Sequence, residues 1–144
     1  MHPTQIDVVQ STFARVEELE LEPALIFYEE LFAATPHLRP LFSADMKKQH
    51  RMFIMALAYC VGSLHQLDAI RPRLEQLAIR HVGYGVLPEH YDVMRGPLLR
   101  MLRKVLGDDF TPEVENSWSE AYATISRIML ETTERHMLPA RKTG

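Results

Sequence analysis

A single cysteine, Cys60, is all the thiol chemistry in this 144-residue chain. An internal disulfide and any cysteine-based zinc cluster are thereby excluded. Long hydrophobic runs are missing too, and no apolar stretch approaches the ~18–20 residues that span a bilayer. The N-terminus, Met1 to Asp7, has neither the basic nor the apolar region of a secretory signal. No charge of one sign dominates: 16 Lys and Arg stand against 19 Asp and Glu, for a net −3. That removes the basic footprint expected of a nucleic-acid binder. The six glycines include no Gly-x-Gly-x-x-Gly run to cradle a dinucleotide. Together these absences point to a reducing cytoplasm, with neither nucleic acid nor membrane as partner. They leave the chemistry open.

What is present is helical periodicity. A hydrophobic share of 47% and a charged share of 24% suit one ordinary domain, expected over 1–138 with a polar C-terminal tail at 139–144. Ile6, Val9, Phe13 and Val16 mark a first helix, with Thr4 as its expected cap. A second opens at Glu22-Pro23 and stops before Pro36. Asp45 caps a long third helix from Met46 to Leu64, on which Gln49, Phe53, Ala56 and Cys60 share one line. The next starts at Asp68 or Arg71, or later still because Pro72 is awkward beyond a first turn. Pro88 opens a helix to Leu106, which Gly96-Pro97 should kink near Val93. Thr111-Pro112-Glu113 starts the last helix, carrying Val114, Trp118, Ala121, Ile125 and Met129. No segment alternates like a strand for long. The fold class is all-α.

His81 is the residue that stands out. Ile70, Leu74, Leu77 and Ala78 precede it by 11, 7, 4 and 3 positions, which puts the imidazole on the apolar stripe of its helix. A buried imidazole needs a partner, and neutral imidazole is the commonest protein metal ligand. A satisfied core histidine remains open on this observation alone. His2, His37, His65, His90 and His136 read as surface or capping residues.

Joint spacings carry the argument further. Pro36 and Phe42 are six apart, and Gln49 lies 32 residues before His81. Phe27-Tyr28-Glu29-Glu30-Leu31-Phe32, Arg80-His81-Val82-Gly83-Tyr84-Gly85-Val86 and Pro88-Glu89-His90-Tyr91 accompany them. Over about residues 4–135 the chain resembles a globin, of the branch formed by bacterial single-domain haemoglobins and the globin part of flavohaemoglobins. The resemblance implies about seven helices around a haem pocket. It implies haem b (iron protoporphyrin IX) held without covalent attachment, since no Cys-x-x-Cys-His is present.

The roles that follow from the resemblance are these. His81 is the axial iron ligand. Phe42 and Phe53 clamp the porphyrin, Leu77, Val86 and Met94 add apolar contact, and Arg80 pairs with a propionate. Tyr28 faces bound oxygen, with Gln49 supporting it, and Tyr91 matches the tyrosine beside the proximal ligand. The glutamate that joins that tyrosine in the branch has no direct counterpart: Arg135 takes its place, with Glu134 and Glu131 nearby as candidate acids. His50, beside Gln49, would replace it over the haem if the helix shifted by one residue, giving a bis-histidyl electron-transfer site. The implied function is reversible binding of oxygen, nitric oxide and carbon monoxide. Nitric oxide dioxygenation, with an external reductase restoring ferrous iron, or simple oxygen carriage and storage, would follow from it. The branch often carries a C-terminal reductase domain; the chain ends at Gly144, so a reductase is expected to be separate. Exposed helix faces allow a homodimer.

Overall fold

Seven α-helices account for the architecture, and no strand occurs among the described residues. The computed structural model describes residues 1–143, with side chains described for residues 1–136. The helices are α1 (Pro3–Glu17), α2 (Glu22–Ala34), α3 (Met46–Gly62), α4 (Leu67–Gly83), α5 (His90–Val93), α6 (Arg95–Leu106) and α7 (Pro112–Thr143). Short 3₁₀ turns at Pro36–Leu41, Leu64–Gln66 and Gly107–Asp109 connect them. The polar tail expected at 139–144 falls where the α7 backbone continues to Thr143. Its side chains and Gly144 lie outside the described residues.

Local chemistry sets most of the helix ends. Pro23 sits in the first turn of α2, where its missing N–H is no loss. At the other end Thr35 leaves the helical region ahead of Pro36 (φ −139°, ψ 73°). Asp45 caps α3 by accepting from the Lys48 N–H at 3.2 Å, and Thr111 caps α7 through Val114 N–H at 3.3 Å. The start of α1 differs from expectation. His2, not Thr4, is the cap: its Nδ1 accepts from Thr4 N–H while its own N–H donates to Gln5 Oε1. Pro3 favours the first helical position, which draws the start upstream of Thr4.

Two prolines behave differently inside helices. Pro72 is absorbed within α4, which begins earlier than expected, at Leu67. The missing proline N–H leaves one carbonyl, that of Asp68, without its helical donor. The helix expected from Pro88 to Leu106 instead begins at His90 and breaks at Met94 into α5 and α6. Pro97 cannot donate to the Val93 carbonyl, so the ladder fails there. The Tyr91 carbonyl at this break accepts from the Tyr122 hydroxyl of α7.

The core forms where α1 and α4 pack on α7, and α2 packs on α6. Val9, Phe13 and Val16 of α1 bury against Trp118, whose Nε1–H donates to Thr12 Oγ1 at 2.9 Å. Each fully buried Phe or Leu here contributes about 1.5–3 kcal/mol relative to exposure. On the surface Glu30 of α2 accepts from Arg100 at 2.8 Å and pairs with Lys104, tying α2 to α6. Helices α3 and α4 are bent from one another by 58° at the Ser63 break. No single described helix is long and apolar enough to cross a membrane. A cavity is lined from both arms of the bend.

Candidate cofactor cavity

A cavity of about 260 Å³ lies between α3, α4, α5 and α7, walled almost entirely by hydrocarbon. The polar group that matters in it is His81, near the end of α4. The His81 Nδ1 is 2.7 Å from the Leu77 carbonyl, one turn back. A carbonyl oxygen can only accept, so Nδ1 carries the proton and Nε2 keeps its lone pair. Burial lowers the His81 pKa; the Leu77 bond acts the other way and the Arg80 charge adds to the lowering. The ring is therefore neutral near pH 7, the form that can coordinate a metal.

The turn after α4 holds this ring in place. Val86 N–H returns to the His81 carbonyl at 3.0 Å, and Tyr84 N–H reaches it at 3.1 Å. Gly85 has φ +93°, and a Cβ added there would come within 3.2 Å of Leu41 Cδ2. Only glycine combines that conformation with so close an approach. Leu41 and Val86, the residue after Gly85, both line the cavity.

Aromatic rings form the wall across from α4. Phe27 and Phe53 stack at 4.3 Å between centroids, 14° from parallel, and Phe42 completes the wall. Tyr28 and Gln49 stand one layer out and do not line the cavity. Tyr28 is 3% exposed, its ring packed edge-on against Phe42 and Phe53. Its hydroxyl oxygen accepts from Gln49 Nε2 at 3.0 Å, while Gln49 Oε1 accepts from Ser43 N–H at 3.3 Å. Burial pushes the Tyr28 pKa up to about 12, against a smaller opposing effect of Gln49. Tyr28 thus keeps its proton, and that proton has no acceptor among the described residues. His50 also lies outside the cavity wall, with its ring stacked on Tyr28 at 5.5 Å.

Of the residues expected to hold a cofactor, Phe42, Phe53, Leu77, His81, Val86, Tyr91 and Met94 all line the cavity. Arg80 does not. It is exposed, because the residue beside an inward-facing helical position is turned about 100° away. The candidate acids are displaced in the same way: Glu131 and Glu134 are exposed, and Arg135 pairs with Glu75 at 3.1 Å. The partner of the Tyr91 hydroxyl is Thr133, at 3.1 Å and fully buried. Thr133 continues the four-residue spacing of Ile125 and Met129, and that phase could have identified it.

His90, expected to be a surface or capping residue, does cap a backbone N–H, but it also faces the cavity. Its Nδ1 accepts from Leu87 N–H at 2.9 Å. Nε2 is then the protonated nitrogen, so His90 is a donor where His81 is an acceptor. Helix α5 spans only four residues, too short for periodicity to show which side faces in. Cys60 also lines the cavity, its thiol pushed up to about 11 by burial.

These residues fit a flat, largely apolar cofactor with a metal at its centre. They supply aromatic faces, an enclosing apolar wall and one neutral imidazole with a free lone pair. Known proteins agree with that chemistry. The family model described as Globin matches residues 25–129. A flavohemoprotein of Vibrio cholerae is 29% identical over 131 residues, covering 88% of this chain and 33% of its own length. The chain therefore spans about a third of the curated relatives it matches. An engineered carbene transferase of Rhodothermus marinus, provisionally described as a nitric oxide dioxygenase, superposes with TM-score 0.86 at 19% identity, covering 98% of this chain and 99% of its own. A flavohemoglobin of Malassezia yamatoensis with bound FAD and heme gives 0.78 at 20% identity, covering 95% and 37%. Identities this low show a shared fold.

Proposed function

We propose, from the premise that this chain belongs to the globin family and that haem is its cofactor, that His81 holds the iron and that the protein binds oxygen and other diatomic gases reversibly. Haem, when bound, would be held by the His81 Nε2 and the apolar wall, and would supply an iron able to bind a small diatomic gas. The observation that carries the reading is the Leu77–His81 bond, which leaves a neutral Nε2 lone pair at an apolar cavity.

The other residues act around that point. Phe42, Phe53 and Leu77 exclude water, which strengthens every polar interaction inside. Tyr28 keeps a phenolic proton with no other acceptor among the described residues, and Gln49 sets its orientation. Such a donor favours a ligand that gains negative charge on its outer atom. Beside the proximal ligand, the Tyr91 hydroxyl pairs with the neutral Thr133 hydroxyl rather than with a carboxylate among the described residues.

Nitric oxide dioxygenation is the more specific reading. One oxygen molecule and one nitric oxide form one nitrate with the uptake of one electron, so turnover requires a reductase. The flavohemoprotein names of the relatives and the length they have beyond the matched part support it. Oxygen carriage without turnover uses the same site and needs no partner. Stopped-flow mixing of the oxygenated protein with nitric oxide separates the two: rapid nitrate formation supports dioxygenation, and a slow reaction leaves carriage.

Absorption spectra of the ferric, ferrous and carbonyl forms test the central reading. A five-coordinate ferrous spectrum is expected, lost in His81→Ala with most of the haem. A protein that takes up no haem would overturn it. A six-coordinate ferrous spectrum without added ligand would promote His50.

A further inference from the structure

A second cavity, of about 250 Å³, shares Tyr91 and Tyr122 with the first as a common wall. Its chemistry is different. Arg95 of α6 and Arg127 and Ser126 of α7 line it, with Asp92 of α5 as the acid in its wall. Two guanidinium charges, fixed at any working pH, stand against one carboxylate. Neither arginine has a salt-bridge partner among the described residues.

Arg95 is the more telling of the two. Its Nε–H is buried and has no hydrogen-bond partner among the described residues. Its guanidinium lies over the Tyr122 ring, 5.6 Å from the centroid. Stacking fixes the plane of the fork but does not satisfy an in-plane N–H. The Tyr122 proton is already committed to the Tyr91 carbonyl. A buried unpaired donor on a permanent cation calls for an acceptor, and Arg95 is among the residues that line the second cavity.

We propose that this second cavity binds a small, singly charged oxyanion between Arg95 and Arg127. A guanidinium edge presents parallel N–H groups that match two oxygens of one anion. Asp92 leaves a net charge of one to be balanced, which disfavours a dianion. Nitrate has the required charge and planarity, and serves as the probe. The inference is independent of the haem reading, because a haem-free chain can still bind the anion.

Calorimetric titration of nitrate into the full chain tests it, at fixed ionic strength with chloride as the background ion. One nitrate per chain is expected in both haem-free and haem-loaded protein. Arg127 is exposed, so Arg127→Gln should fold and weaken nitrate binding about tenfold, the worth of one charge-assisted bond. Asp92→Asn should tighten it. Binding no stronger than chloride, or unchanged in Arg127→Gln, would overturn the site. Stronger binding of sulfate than of nitrate would overturn the single-charge assignment. Binding lost on haem loading would mean that the carboxylates of the cofactor fill the cavity, and would overturn the proposal.

Discussion

The Tyr91 hydroxyl meets the Thr133 hydroxyl at 3.1 Å, joining α5 to α7 at the cavity wall, and Thr133 is fully buried. Burial raises the Tyr91 pKa, against a smaller opposing effect of Thr133, so the phenol stays protonated. Thr133→Val keeps the shape but strands the Tyr91 hydroxyl. Leaving one buried partner unsatisfied costs about 1–3 kcal/mol, and urea unfolding should show a loss of that size. Tyr91→Phe with Thr133→Val removes both partners and should recover part of it. A double variant as unstable as the sum of the singles would show that the two hydroxyls do not interact.

Gly85 sets a second expectation. Its φ of +93° and the 3.2 Å approach of Leu41 to a Cβ combine strain with crowding. Gly85→Ala should destabilise the protein by at least about 1–2 kcal/mol, the cost of a positive φ in a residue with a side chain. Haem affinity should fall as well, since the added Cβ crowds Leu41, which lines the cavity. Retention of both stability and affinity would show that this turn relaxes freely.

The pH dependence of the haem-free protein follows from two histidines. Burial lowers the pKa of His81 and of His50. Both bind protons more readily in the unfolded chain, so between the lowered folded pKa and the ordinary value the unfolded state holds more protons. Stability is therefore complete above about pH 6.5 and declines as pH falls below it. His81→Gln removes one of the two titrations. Its urea midpoint should change less between about pH 7.5 and about pH 5 than that of the parent chain. Equal slopes would rule out a buried, neutral His81.

Periodicity made the long helices and the cavity face of α4 legible, because an apolar stripe over three or more turns fixes which way each residue points. The same rule placed Phe53 and Cys60 correctly on α3. It could not place Tyr28: an aromatic in a helix with apolar residues on most sides has no unique inward direction, and Phe27 beside it took the cavity wall. Thr133 was readable from the phase of α7, but an expected carboxylate drew attention to the charged residues around it. The capping role of His90 was readable but its place in the cavity wall was not, since α5 is one turn long and its orientation is set by the α5–α6 break. Pro97 signalled that break but not its consequence at the Tyr91 carbonyl.

The placement of Tyr28 behind Phe42 and Phe53 makes its role in gas binding the sharpest question. The hydroxyl accepts from Gln49 and keeps its own proton free, so it can donate only if its edge reaches the bound gas. If it does, Tyr28→Phe removes one hydrogen bond to a ligand with partial negative charge, worth about 1.5–3 kcal/mol. That corresponds to about a tenfold to a hundredfold faster release of oxygen. Gln49→Leu should give a smaller increase, because the proton remains and only its orientation is lost. Laser photolysis of the carbonyl form in the presence of oxygen, followed by the oxygen dissociation rate, checks both. Carbon monoxide, which gains little negative charge, should leave at nearly the same rate from either variant. An unchanged oxygen rate in Tyr28→Phe would assign the hydroxyl to the Gln49–Ser43 scaffold alone.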